Sequence, residues 1–155
     1  AVLDFGCGPG RDLMAFRDMG HQPIGLEGST EFAKLARKHS GCEVLEQNFL
    51  ELELPDAHFD GIFANASFFH VPSQEAPRIL SELRAALKEG GVLFCSNPRG
   101  DNQEDWRGER YGIFYQDSTW LSMVEDVGFT PLQHYFRPAG LPNNQQPWLA
   151  TVWRR

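Results

Sequence analysis

The chain opens Ala1-Val2-Leu3-Asp4-Phe5-Gly6-Cys7-Gly8-Pro9-Gly10, and these ten residues limit the fold more than any other stretch. Val2, Leu3 and Phe5 favour a strand, and Gly6, Gly8 and Gly10 end it abruptly. Behind the glycines, Leu13, Met14 and Phe16 are interspersed with Arg11, Asp12, Arg17 and Asp18, the start of an amphipathic helix. Strand, glycine turn and helix together leave backbone N–H groups open to a ligand where a side chain would otherwise stand. Asp4, one residue before the last strand position, can accept from turn amides or meet a cation.

Two well-known glycine turns do not fit. A dinucleotide turn needs G-x-G-x-x-G, whose third glycine allows close helix–strand packing. Here the third glycine comes one position early and Arg11 stands in its place. A P-loop fails because no Gly-Lys-Ser/Thr follows. The remaining pattern, Asp4-Phe5-Gly6-Cys7-Gly8-Pro9-Gly10, resembles the first motif of the class I S-adenosylmethionine (SAM)-dependent methyltransferases. In that family the acidic residue and the turn hold the amino-acid end of SAM.

Strands and helices alternate through the first two thirds of the chain. Pro23 to Glu27 reads as a second strand, followed by a helix capped by Ser29 or Thr30. That helix carries Phe32, Leu35 and Ala36 at helical spacing and ends near Ser40-Gly41. Val44-Leu45 is a short third strand and Phe59 to Ala64 a fourth. A helix from Glu75 to Lys88, with Ile79, Leu80, Leu83 and Leu87 on one face, is stopped by Gly90-Gly91. Val92 to Cys95 is the fifth strand. Asn97 to Gln116 reads as a loop, and Asp117-Ser118 caps a helix carrying Trp120, Leu121, Val124 and Val127. Phe129 to Phe136 and Trp148 to Trp153 close the chain as two strands with no helix between them, hence antiparallel. The expected fold is α/β: a Rossmann-like, doubly wound, seven-stranded sheet, mostly parallel with an antiparallel C-terminal hairpin. Its ligand crevice lies at the carboxyl ends of the strands, where strand order reverses.

At 155 residues one domain, 1–155, is expected. The chain begins directly on a core strand, and the resemblance implies an N-terminal helical segment upstream that closes over the cofactor. A net charge of −7 without a Lys/Arg cluster argues against nucleic acid as the partner. Cys7, Cys42 and Cys95 are widely spaced, with no C-x-x-C pair, so reduced thiols, no metal site and a cytoplasmic location are expected. No apolar run reaches membrane-spanning length, so no membrane partner is expected.

Glu27 follows Gly10 by 17 residues, at the end of the second strand. A carboxylate there can accept both hydroxyl hydrogens of a ribose. With it go Gly28 and Ser29, the latter more naturally a helix cap than a ligand. After the third strand come Asn48 and Phe49. The resemblance puts an acidic residue at position 48, accepting from the adenine amino group. Asn48 can still accept, without charge assistance, at a cost of about 1 kcal/mol. Phe49 packs either on the purine or in the core. Phe59 to Pro72 resembles the fourth-strand segment of small-molecule members of the family, which places Ala64 and Asn65 against the methionine end of SAM. The N/D-P-P-Y/F motif of adenine and glutamine amino methyltransferases is absent. His70 is the general-base candidate, with an ordinary imidazole pKa of about 6.5, or else a histidine that shapes the loop. Correct positioning alone can suffice for methyl transfer. Arg107, Arg110, Tyr111 and Tyr115 form a candidate substrate lid for an anionic or aromatic acceptor, with Arg137 a further cation of that kind.

The resemblance therefore implies a SAM-dependent methyltransferase with a small-molecule acceptor and S-adenosylhomocysteine as product. The alternatives are another SAM-fold transferase, such as an aminopropyl or carboxymethyl transferase, a non-catalytic SAM- or nucleotide-binding module, and an NAD(P)-dependent oxidoreductase.

Overall fold

Val2–Phe5 forms strand β1, and the computed structural model, which describes residues 1–155, places it inside the sheet with neighbours on both sides. The other elements follow in chain order: α1 (Arg11–Asp18), β2 (Pro23–Glu27), α2 (Thr30–Ser40), β3 (Glu43–Glu46), β4 (Phe59–Asn65), α3 (Ala76–Ala86), β5 (Leu87–Pro98), β6 (Gln103–Arg107), β7 (Arg110–Phe114), α4 (Asp117–Asp126), β8 (Thr130–Arg137) and β9 (Trp148–Arg154). Seven strands form one sheet in the order β3-β2-β1-β4-β5-β9-β8. The β1, β2, β3, β4 and β5 pairings are parallel, while β9 runs antiparallel to both β5 and β8. Strand order reverses between β1 and β4, so the carboxyl ends of these two strands diverge into a crevice.

The larger core lies between one face of the sheet and α3 and α4. Leu3 and Phe5 of β1, Ile62 of β4 and Leu93 of β5 meet Ile79, Leu80 and Leu83 of α3 and Trp120 and Val124 of α4. Phe5 and Trp120 are fully or almost fully buried, and truncating either to alanine would cost about 3–5 kcal/mol. Trp120 also donates its indole N–H to the hydroxyl of Thr151 on β9 at 3.2 Å, satisfying the one polar atom this large ring carries into the core.

On the other face Cys7, Leu13, Ala33, Ala36 and Val44 form a smaller cluster under α1 and α2. There the helical stripe differs from expectation. Phe32 and Leu35 are 45% and 40% exposed, and the buried side of α2 is Ala33, Ala36 and Ser40. The cause is Gly10. A Cβ at that position would stand 2.9 Å from Cα of Ala36, so the two backbones approach closely enough that only small residues fit between them.

Other boundaries also move. Helix α3 ends at Ala86, and Gly90-Gly91 lies inside β5, which is longer than expected because Leu87 already pairs with Phe59 ahead of a register shift. The expected loop 97–116 is the end of β5 followed by a separate antiparallel hairpin, β6–β7. The N-cap of α4 is Gln116, without a side-chain cap bond; Asp117 instead pairs with Arg99 at 2.8 Å. No helix is long and apolar enough to cross a membrane.

Candidate functional site

A cavity of about 520 Å³ opens at the carboxyl ends of β1, β2 and β4, within the range usual for small-ligand sites. It is lined by Gly6, Gly8, Glu27, Gly28, Phe32, Asn48, Phe49, Ala66, Ser67, His70 and Arg110.

Its floor is the glycine turn, and the three glycines serve different ends. All have left-handed backbones, with φ of 79°, 51° and 88° for Gly6, Gly8 and Gly10. A Cβ on Gly6 would collide with Cβ of Ser67 at 2.5 Å, in a contact fixed by the Ser67 hydroxyl donating to the Phe5 carbonyl at 2.5 Å. Gly10 is pinned by Ala36. A Cβ on Gly8 would meet nothing within 4 Å. Gly6 and Gly10 are thus required by packing, while Gly8 keeps its side clear over a cavity wall.

Glu27 ends β2 with both carboxylate oxygens engaged. One accepts from the Gly8 amide at 2.9 Å and the other from the Ser29 amide at 2.8 Å. Each oxygen keeps a lone pair for a further donor such as a ribose hydroxyl. The Ser29 hydroxyl accepts from the Phe32 amide at the start of α2, its expected capping role.

Asp4 takes no turn amide. It is 3% exposed, and its Oδ2 is buried without a hydrogen-bond partner. Burial, reinforced by the charges of Asp12 and Glu27 and opposed by Arg11, pushes its carboxyl up to about 7.

The rim also departs from expectation. Asn48 Oδ1 accepts from the Leu50 amide at 2.9 Å, so one lone pair is spent on the local turn and one remains. Phe49 stacks on Phe5 with ring centroids 4.2 Å apart, presenting only its remaining surface to the cavity. Phe32, which the sequence marked only as part of the helical repeat of α2, lines the cavity. Ser67 and Ala66 were likewise missed. Ala66 has φ 57°, a backbone that alanine adopts only at a cost, and nothing in its side chain advertises that.

Cys7 does not line the cavity. Its sulfur turns into the small cluster under α1 and α2, and burial, with the nearby Asp4 and Glu27 charges, pushes the thiol up to about 12. Only its backbone belongs to the turn. Ala64 is fully buried in β4. Asn65, at the end of β4, lines a second cavity of about 270 Å³ together with Ala66, Ser96, Arg137, Pro138 and Trp148.

The expected substrate loop is an antiparallel hairpin, β6–β7, whose Arg110 reaches the site. Tyr111 O accepts a hydrogen bond from His70 Nδ1 at 2.6 Å. A carbonyl only accepts, so Nδ1 carries the proton and Nε2 of the neutral ring keeps the free lone pair. Glu104 on β6 ties the hairpin down, accepting from the Ser73 amide at 2.7 Å, the Ser73 hydroxyl at 2.5 Å and the Tyr111 hydroxyl. Gly112 lets the strand close on Phe69, whose ring would be 3.1 Å from a Cβ there. Tyr111 shares a side cavity of about 370 Å³ with Asn48, Phe49, His70 and Trp106, whereas Arg110 lines the main one. Tyr115 is a correction: it is 4% exposed and packs on Trp120, so it belongs to the core. Arg107 lies over the Phe114 ring at 3.6 Å and lines none of the three cavities.

Comparison with known proteins decides the family. The family described as "Methyltransferase domain" matches residues 2–91, more than half of the chain. The chain belongs to that family. Among curated relatives of this methyltransferase domain, a sterol 24-C-methyltransferase of Clavispora lusitaniae is 25% identical over 177 residues, covering 99% of the chain and 46% of the relative. The chain therefore spans less than half of that relative's length. A solved S-adenosylmethionine-dependent methyltransferase of Mesorhizobium loti shares the fold with a TM-score of 0.84 at 18% identity, covering 99% of this chain and 90% of that one. The 1,6-didemethyltoxoflavin-N1-methyltransferase of Burkholderia thailandensis, solved with its substrate and S-adenosylhomocysteine, gives 0.81 at 23% identity, covering 99% and 70%. Fold and family are those of class I SAM-dependent methyltransferases.

Proposed function

We propose that this domain binds SAM in the 520 Å³ cavity and transfers its methyl group to a small molecule. The observation that carries the reading is the pairing of the open Gly8 turn with the amide-anchored Glu27 carboxylate across one cavity. The residues suit the cofactor. Glu27 takes the ribose hydroxyls, Asn48 the adenine amino group, Phe32 and Phe49 the purine faces, and the unpartnered Asp4 the ammonium of the methionine end. When bound, SAM supplies an electrophilic methyl on a sulfonium.

What remains for the chain is positioning. The turn fixes the sulfonium end, Ala66 and Asn65 border it, and the hairpin covers the site and excludes water. His70 Nε2, whose tautomer is set by Tyr111 O, would take the proton that an acceptor loses on gaining the methyl group, while the electron pair of the broken S–CH3 bond would stay on the sulfur of S-adenosylhomocysteine. The acceptor is a small molecule, since the protein is acidic and its cavities are of metabolite size. Methyl turnover is measured with labelled SAM over a panel of oxygen, nitrogen and carbon acceptors. Product above background supports the reading, and SAM binding without any turnover would instead support a binding module. His70→Ala should lower kcat by about 10²-fold or more at neutral pH if Nε2 is the base, a loss well beyond any change in S-adenosylhomocysteine affinity.

A further inference from the structure

The second cavity points to the chemistry of the acceptor. It shares Ala66 with the main cavity and lies on the side of Asn65, away from Asn48 and Phe49. Strands β4, β5, β8 and β9 supply its walls, through Asn65, Ser96, Arg137 and Trp148. Arg137 is its only charged lining residue. Nη1 donates to the Ser96 hydroxyl at 3.1 Å and to Asn65 Oδ1 at 3.4 Å, both neutral, and Ser96 is fully buried. No carboxylate of the protein pairs with this guanidinium, although acidic residues outnumber basic ones 21 to 14. Nε and Nη2 have no partner at all, and together they present the planar fork that a carboxylate accepts. Trp148 adds an apolar wall to the same small space.

We propose that this cavity is the acceptor subsite, and that it takes a small molecule bearing a carboxylate paired with Arg137 and an apolar body against Trp148. The inference rests on the methyltransferase reading and names its substrate class. Held by its carboxylate at Arg137, the acceptor reaches past Ala66 with its reactive atom toward the methyl donor. Arg137 is exposed, so water solvates its charge in the free protein, and the carboxylate of the ligand takes the place of that water on the open side of the fork.

Benzoate, with benzamide as its uncharged counterpart, tests the subsite. Both are titrated by calorimetry at constant ionic strength, with and without saturating S-adenosylhomocysteine, so that loss of cofactor binding and loss of anion binding are read separately. The wild type should bind benzoate with at least tenfold preference over benzamide. Arg137→Gln should weaken benzoate at least tenfold and leave S-adenosylhomocysteine affinity and melting temperature in place. Arg137→Lys, which keeps the charge but loses the fork, should fall between. Equal binding of benzoate and benzamide, equal benzoate binding by Arg137→Gln, or no benzoate binding at tens of millimolar would each overturn the proposal.

Discussion

Gly8 and Gly10 sit two residues apart and should respond to substitution in opposite ways. Gly10→Ala drives a methyl group into the α2 backbone at Ala36, a clash with no flexible atom to yield, so stability should drop by about 1–3 kcal/mol. Gly8→Ala meets open space and suffers only the left-handed backbone, about 1 kcal/mol, yet its methyl group stands where a ligand must lie. Thermal melts and S-adenosylhomocysteine titrations of the two variants separate a packing glycine from a binding one. Asp4 sets a pH dependence of its own. Its folded pKa is about 7 against 3.8 unfolded, so between those values the folded protein holds the extra proton. The contribution of Asp4 then falls as pH rises from 4 to 7, at up to about 1.4 kcal/mol per unit. In melts of the ligand-free protein, Asp4→Asn should remove that decline; an unchanged pH profile would mean that Asp4 is ionised in the fold.

The β6–β7 hairpin is the element that closes the site, and Glu104 is its main fastening. Burial would raise the Glu104 pKa, but hydrogen bonds from the Ser73 hydroxyl, the Tyr111 hydroxyl and the Ser73 amide more than offset it and leave it lowered. Glu104→Ala should therefore free the hairpin while the seven-stranded sheet keeps its stability to within about 1 kcal/mol. Trypsin cleavage after Arg107 or Arg110 should accelerate severalfold in that variant; unchanged cleavage would show that the contacts of Phe69 and His70 suffice. This hairpin was hidden in the sequence because nearly all of β6 is exposed, and a strand with no buried face shows no alternation. By contrast, Glu27 and the glycine turn were readable because both sit at the ends of strands whose apolar residues face the core. Phe32 was read only as part of a helical repeat, with no role at the site. Its spacing suggested a buried stripe, but the close approach at Gly10 gave that stripe to the alanines.

Across the whole molecule, the sheet supplies the rim of strand ends, and the two helical layers hold it, with Phe32 of α2 reaching into the crevice. Ligand energy should therefore appear as stability of the entire domain: SAM at a hundred times its Kd adds about 2.7 kcal/mol to the folded state. Calorimetric titration of S-adenosylhomocysteine into the wild type, Gly8→Val and Glu27→Ala is the most direct test of the central claim. The wild type should bind, and both variants should remain folded and show no heat of binding. Normal binding by either variant, or none by the wild type at millimolar ligand, would contradict it.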